Sequence, residues 1–263
     1  MSNTPQQSTT IDLIILSLAS NPALRQVTEN CLVSLRASET QHPDIVLNIV
    51  VIESCPDAPP YEGANVQTIY PGIPFGYHTY MNLGIKMTHA PYICLCNNDL
   101  IFHPDWAKEL LDAFAQDEKL QSASPLCSIH HPTVGLLPAS GLHYGYGIRR
   151  EIAGWCLCFK RSMLEITGPL DEQFRFWFAD NDYAKTLEKH ALPHALVTSS
   201  IVDHVESKTL KTQSRVRQRL LTKKAKLDFD RKWNGLHGLR YARKLISFYL
   251  KLCLLPFKAK KDS

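Results

Sequence analysis

The 263-residue chain has no run of 18 or more uninterrupted apolar residues, so no segment reads as a membrane span. Its first ten residues, MSNTPQQSTT, lack the basic start and apolar stretch of a secretory leader, which points to a cytoplasmic protein. Eight cysteines are present without a single C-x-x-C pair. Cys94/Cys96 and Cys156/Cys158 have the spacing that puts both side chains on one face of a strand, which suits packing better than tetrahedral zinc. Reduced core thiols and a reducing compartment follow. Glycine is scarce at 12, and GLHYGYG (141–147) has neither the G-x-G-x-x-G spacing nor a strand-to-helix setting. The G-x-x-x-x-G-K phosphate loop is missing as well, so oxidoreductase and kinase readings weaken. His130, His131 and His143 have no helical H-x-x-x-H spacing and read as solvated loop histidines.

What the chain does have is 44% hydrophobic residues, enough for a packed core. IDLIILSLA (11–19) reads as a buried strand. It precedes a helix with Leu24, Val27, Cys31, Leu32 and Leu35 at helical spacing, and LNIVVIES (47–54) is a second strand. This strand-helix-strand order predicts an α/β fold with a mainly parallel sheet covered on both faces. Further on, VQTIY and YICLC read as strands, residues 78–89 and HPDWAKELLDAFAQD as helices, and 125–150 as loops with a hairpin. WCLCFKRSMLEITG (155–168) reads as a strand running into a helix, 178–191 as a helix with acids in its first turn, and LVTSSIVDHVES as a last strand. No linker interrupts 11–207, so this stretch reads as one domain after a flexible start at 1–10.

Ligands of open α/β sheets bind beyond the carboxyl ends of the strands. Three acids fall at such ends: Glu53 after LNIVVI, Asp99 after YICLCNN, and Asp180 past FRFWF. A carboxylate there is costly unless a cation or a donor meets it, and Asp99 suits a hard divalent ion such as Mg²⁺ or Mn²⁺. A turn in which Asn97, Asn98 and Asp99 cap the strand is the plainer alternative. His204 alone reads equally as a strand-end histidine, and Trp155 as core.

Taken together, Glu53, MNLGI (81–85), NND (97–99), AGW (153–155), ADND (179–182) and VDHV (202–205) resemble family 2 glycosyltransferases of GT-A fold over about residues 11–207. The resemblance implies that Glu53 accepts from the base of a UDP- or dTDP-sugar. It also places Asn82, Gly84 and Asn98 beside the nucleotide, and Gly154 and Trp155 at the sugar and acceptor pocket. Asp99 and His204 would hold the metal, and Asp180 would be the catalytic base of an inverting displacement. Asp182, about 200° away on the same helix, is the rival base. Where the family has E-D-x-D, this chain has Ala179 in place of the Glu. A sugar-nucleotide-binding protein without activity and a nucleotidyltransferase are the alternatives.

Charge is divided sharply. Residues 1–207 hold 12 Lys/Arg against 22 Asp/Glu, and residues 208–263 hold 17 against 3. The basic tail, with Leu239, Leu245, Ile246, Phe248, Tyr249, Leu252 and Leu255, reads as amphipathic helices suited to an anionic membrane surface, where a lipid-linked or polysaccharide acceptor would be met. Packing back onto the domain is the alternative, and no nucleic-acid recognition fold accompanies the basic residues.

Overall fold

The computed structural model describes residues 8–205 and 215–253; parts of the expected flexible start and of the basic tail, including Leu255, lie outside the described residues. The chain opens with β1 (Thr9–Ser17), α1 (Pro22–Ser38) and β2 (Ile45–Glu53), followed by β3 (Val66–Ile69). Alternation along β1 sends Ile11, Leu13 and Ile15 into one core and Ile14 into the other, so both faces of the strand are covered. α1 begins where the sequence places it: Asn21 Oδ1 accepts from the Leu24 N–H at 3.0 Å, with Pro22 in the first turn.

Next come α2 (Tyr77–Lys86), β4 (Tyr92–Cys96), β5 (Leu100–Phe102), α3 (Trp106–Gln116), β6 (Ser122–Leu126) and β7 (Leu142–Tyr144). After them follow β8 (Cys156–Lys160), α4 (Met163–Thr167), α5 (Ala179–Lys189), β9 (His194–His204), α6 (Arg215–Trp233) and α7 (Gly238–Cys253). The sheet order is β3-β2-β1-β4-β8-β6-β9-β5, with β7 also on β9. Pairing is parallel from β3 to β4, and β8 then runs antiparallel to both β4 and β6. The sheet is therefore parallel on its N-terminal side and mixed beyond β4.

Helices α1 and α3 cover one face with Cys31, Leu35, Trp106, Leu110 and Phe114. Helices α2 and α5 cover the other with Met81, Ile85, Tyr183 and Leu187. Cys94, Cys96 and Cys156 meet within the first core, their sulfurs 3.6–3.9 Å apart. That is sulfur contact distance, and burial pushes these thiols up, so they pack as neutral groups.

Two readings of the sequence change. A strand not expected from the sequence, β6, ends at the start of the 125–150 stretch read as loops; its sequence SASPL carries no apolar alternation, yet all five positions are buried beside β8 and β9. FRFWF is not a strand: it holds only an isolated bridge between Phe176 and Phe178, and Asp180 lies in the first turn of α5.

Candidate active site

The first wall of the site is the turn after β4. β5 pairs antiparallel with β9, setting Leu100 opposite His204, and the Val205 N–H donates to the Asp99 carbonyl at 2.9 Å. This register brings His204 Nε2 to 3.3 Å from Asp99 Oδ1. The Asn97 N–H donates to the Trp155 carbonyl at 2.9 Å, and the Trp155 ring lies flat on His204, 5.1 Å between centroids and 2° from parallel. The stack fixes the plane of the imidazole.

His130 and His131 close around the other edges of Trp155, with centroids at 5.4 and 5.7 Å. Sequence spacing gives no hint of this, because the two reach Trp155 through a 3-10 turn at His131–Val134. His131 Nδ1 accepts from the Cys127 N–H at 2.7 Å, and burial pushes its ring down to about 4. His131 is therefore neutral, with its proton on Nε2. That N–H and the Trp155 indole N–H are buried donors without a hydrogen-bond partner among the described residues. Buried donors of this kind ordinarily await water or a ligand.

The second wall is Asp180. Phe178, in the left-handed conformation at φ 65°, turns the chain into α5, and Asp180 Oδ1 accepts from the Asn181 N–H at 2.9 Å. Its neighbour across the site is Gly154: a Cβ there would stand 2.9 Å from Asp180 Cβ and 3.3 Å from Oδ2. The Tyr77 hydroxyl donates to the Gly154 carbonyl at 3.4 Å. Burial raises the Asp180 carboxyl, offset in part by its Asn181 hydrogen bond and by His78 and Arg149. The rival, Asp182, is taken: its Oδ1 accepts from the Trp233 indole N–H and pairs with Lys232, each at 2.7 Å. Ala179 faces Phe174 and Phe229 in a small apolar core, so the position expected to carry a Glu is filled by packing against α6.

The other expected site residues have partners within the fold. Glu53 is 1% exposed, and its Oε1 accepts from the Ala19 and Cys55 N–H groups at 3.0 and 2.7 Å, which ties two loops together. The Asn82 amide donates to the Leu170 carbonyl and to Glu172 Oε1, and its oxygen accepts from the Leu170 N–H, so it clamps the loop after α4. Gly84 serves packing, since a Cβ would lie 2.6 Å from Ile14. The Asn98 amide donates to Thr28 Oγ1 at 2.8 Å, fixing the turn to α1. Trp155 is buried among His130, His131 and His204.

Asp99 and His204 fit a divalent ion. Two adjacent ligands about 2.1 Å from one Mg²⁺ or Mn²⁺ stand roughly 3 Å apart, and such ions commonly take few protein ligands when phosphate oxygens supply the rest. The observed 3.3 Å is close to that spacing.

The mixed sheet, parallel from β3 to β4 with β8 antiparallel beyond it, is of GT-A type. Solved structures agree. A mutant Drosophila β-1,4-galactosyltransferase 7 in complex with manganese, UDP-Gal and xylobiose has a TM-score of 0.51 at 13% identity, covering 81% of this chain and 79% of its own. GalNAc-T7 with UDP, GalNAc and Mn²⁺ gives 0.58 at 10% identity, covering 92% and 54%. The Pyrobaculum calidifontis mannosyltransferase PcManGT with GDP-Man and Mn²⁺ gives 0.55 at 12% identity, covering 87% and 64%. The chain thus spans less than two thirds of the last two. No curated protein matches in sequence. Residues 25–129 match the family model for glycosyl transferase family 2.

Proposed function

We propose that the protein transfers a sugar from a nucleoside-diphosphate donor to a hydroxyl of a glycan or lipid-linked acceptor, inverting the anomeric carbon. The observation that carries this reading is the dipeptide Gly154-Trp155. Its glycine lies against Asp180, and its tryptophan stacks on the histidine that faces Asp99. One short backbone segment therefore connects a base to a pair of metal-ligating groups.

Asp180 accepts the proton of the acceptor hydroxyl while that oxygen bonds to the anomeric carbon and the bond to the diphosphate breaks on the opposite face. A carboxyl raised by burial is a stronger base than a solvated one. Asp99 and His204 would hold Mn²⁺ or Mg²⁺, which when bound offsets the charge of the departing diphosphate. Glu53 and Asn98 shape the loops around the donor, and Tyr77 steadies Gly154. The names of the three similar structures pair Mn²⁺ with a uridine or guanosine diphosphate or its sugar, which supports the donor class. Thermal shift with a panel of UDP-, dTDP- and GDP-sugars plus Mn²⁺ tests it: a matching donor raises Tm only with the metal, and no shift from any donor overturns it.

The tail divides into two parts. The C-terminal part of α6 packs on the domain through Phe229, Arg231 and Trp233, which supports the packing alternative for this helix. Among the described residues, no helix is long and apolar enough to cross a membrane. α7 turns Tyr241 and Phe248 towards α6 while Leu239, Ile246 and Leu250 remain 81%, 59% and 60% exposed. Arg240, Arg243, Lys244 and Lys251 flank this stripe, and the helix contains no acid. An anionic bilayer is the surface complementary to such a helix, each basic residue adding about 1 kcal/mol.

A further inference from the structure

Helix α6 reaches the active site through Asp182 rather than Asp180. Asp182 is 3% exposed, and both groups on its Oδ1 come from the end of α6, 50 and 51 residues along the chain. The Lys232 ammonium also pairs with Asp171 Oδ2 at 2.8 Å, and His78 Nδ1 donates to the carbonyl of Asp171 at 2.8 Å. Arg231 donates to Gln173 Oε1 at 3.2 Å. Phe229 lies 5.2 Å from Phe178, the left-handed residue that starts α5, and 6.3 Å from Phe174. Residues 171–182, the strap that delivers Asp180, are thus held by α6 at their first residue, their middle and their last.

A buried carboxylate needs its partners. Without Lys232, Asp182 would keep a single donor, and the first turn of α5 would gain by turning it towards water. That rotation would move Asp180, because the two lie on one helical turn. Ala179, the residue before Asp180, packs in the apolar cluster with Phe174 and Phe229 and offers no polar group to hold the turn.

We propose that the C-terminal half of α6 is a clamp that positions Asp180, with Lys232 and Trp233 as positioning residues for sugar transfer. The proposal rests on Asp180 being the base. It makes a helix outside the sheet part of the catalytic apparatus, and it places the basic tail on the enzyme itself as well as on any surface α7 meets.

The test uses the full chain with the nucleotide sugar that raises Tm most in the thermal-shift panel. Lys232→Met should lower kcat roughly ten- to a hundredfold, the cost of misplacing a catalytic group by a fraction of an ångström to an ångström, with donor KM little changed. Lys232→Arg should restore most of the rate. Trp233→Phe, which keeps the ring and removes only the N–H, should show a smaller loss. Removing the Lys232 ammonium takes positive charge away from Asp182, near Asp180, which otherwise faces His78, Arg149 and Tyr77. The acid limb of the pH–rate profile of Lys232→Met should therefore move upward. Wild-type kcat per folded molecule and an unmoved acid limb in both Lys232→Met and Trp233→Phe would overturn the clamp, as would loss only in proportion to unfolded protein by circular dichroism. Asp180→Asn separates the two ideas: if it too turns over normally, the base assignment fails; if it alone is inactive, only the clamp fails.

Discussion

Gly154 and Asp180 are in such close approach that a single added methyl on the glycine would stand 2.9 Å from the aspartate Cβ. The contact joins the segment before β8 to the first turn of α5. It also explains why glycine is needed at 154 without any appeal to backbone conformation. Gly154→Ala should cut kcat by at least about tenfold by displacing Asp180, while costing only about 1–3 kcal/mol of stability, as overpacking generally does. Steady-state kinetics and denaturant titration on the same preparation check both halves.

Asp180 itself should show a conflict between stability and activity. Its carboxyl is raised by burial, so the native protein holds this proton more tightly than the unfolded chain. Stability then falls as pH rises from the ordinary carboxylate value to the raised native one, and the deficit persists at neutral pH. Asp180→Asn removes that penalty. Tm at pH 7 should hold or rise while turnover falls by about 10²–10⁴. A fall in Tm with activity retained would contradict both statements.

Metal dependence should map to Asp99 and His204. Chelation should abolish transfer in the wild type, and Mn²⁺ should restore it. Asp99→Asn and His204→Ala should each need more than about tenfold more Mn²⁺ for half-maximal rate, since each removes one of the few protein ligands. Trp155→Leu should give a milder increase, because it removes only the ring that fixes the His204 plane.

Acid stability should depend on buried neutral histidines. His194 has its Nδ1 2.8 Å from Ser122 Oγ and its Nε2 3.0 Å from the Glu151 carbonyl, and burial pushes the ring down to about 4. The unfolded ring titrates near about 6.5. The stabilisation is complete above that value and is lost as pH falls towards about 4, because the unfolded chain then binds the proton first. Urea midpoints at pH 7, 5.5 and 4.5 should decline steadily, and His194→Gln should flatten the decline.

Binding by α7 is a separate prediction. The full chain should float with vesicles containing anionic lipid and not with neutral ones, and Ile246→Ser with Leu250→Ser should abolish flotation. Equal flotation on neutral vesicles would remove the electrostatic part of the reading.

Much of this was legible in the sequence because position along an element is legible. The near-continuous apolar runs at 11–15 and 49–52 announce doubly covered strands, Asp99 and His204 stand at strand ends that the fold brings together, and Asp180 stands at a helix start that lies against Gly154. What spacing cannot convey is which partner claims a polar atom. Glu53, Asn82 and Asn98 sit where a nucleotide-binding reading puts them, yet Ala19, Leu170 and Thr28 occupy their hydrogen bonds. The hold of Lys232 on Asp182 was hidden for the same reason: a basic tail looks solvated until its long-range partner is seen. β6 escaped because SASPL has no periodicity to detect.

The central claim is sugar transfer with Asp180 as base, and one assay meets it directly. Wild type and Asp180→Asn are incubated with the stabilising nucleotide sugar, Mn²⁺ and a panel of glycan and lipid-linked acceptors, and the released nucleoside diphosphate and the anomeric configuration of the product are read by NMR. The account predicts an inverted glycoside and one diphosphate per transfer from the wild type, and a rate lower by about 10²–10⁴ from the variant. Retained configuration, or full turnover by Asp180→Asn, would contradict it.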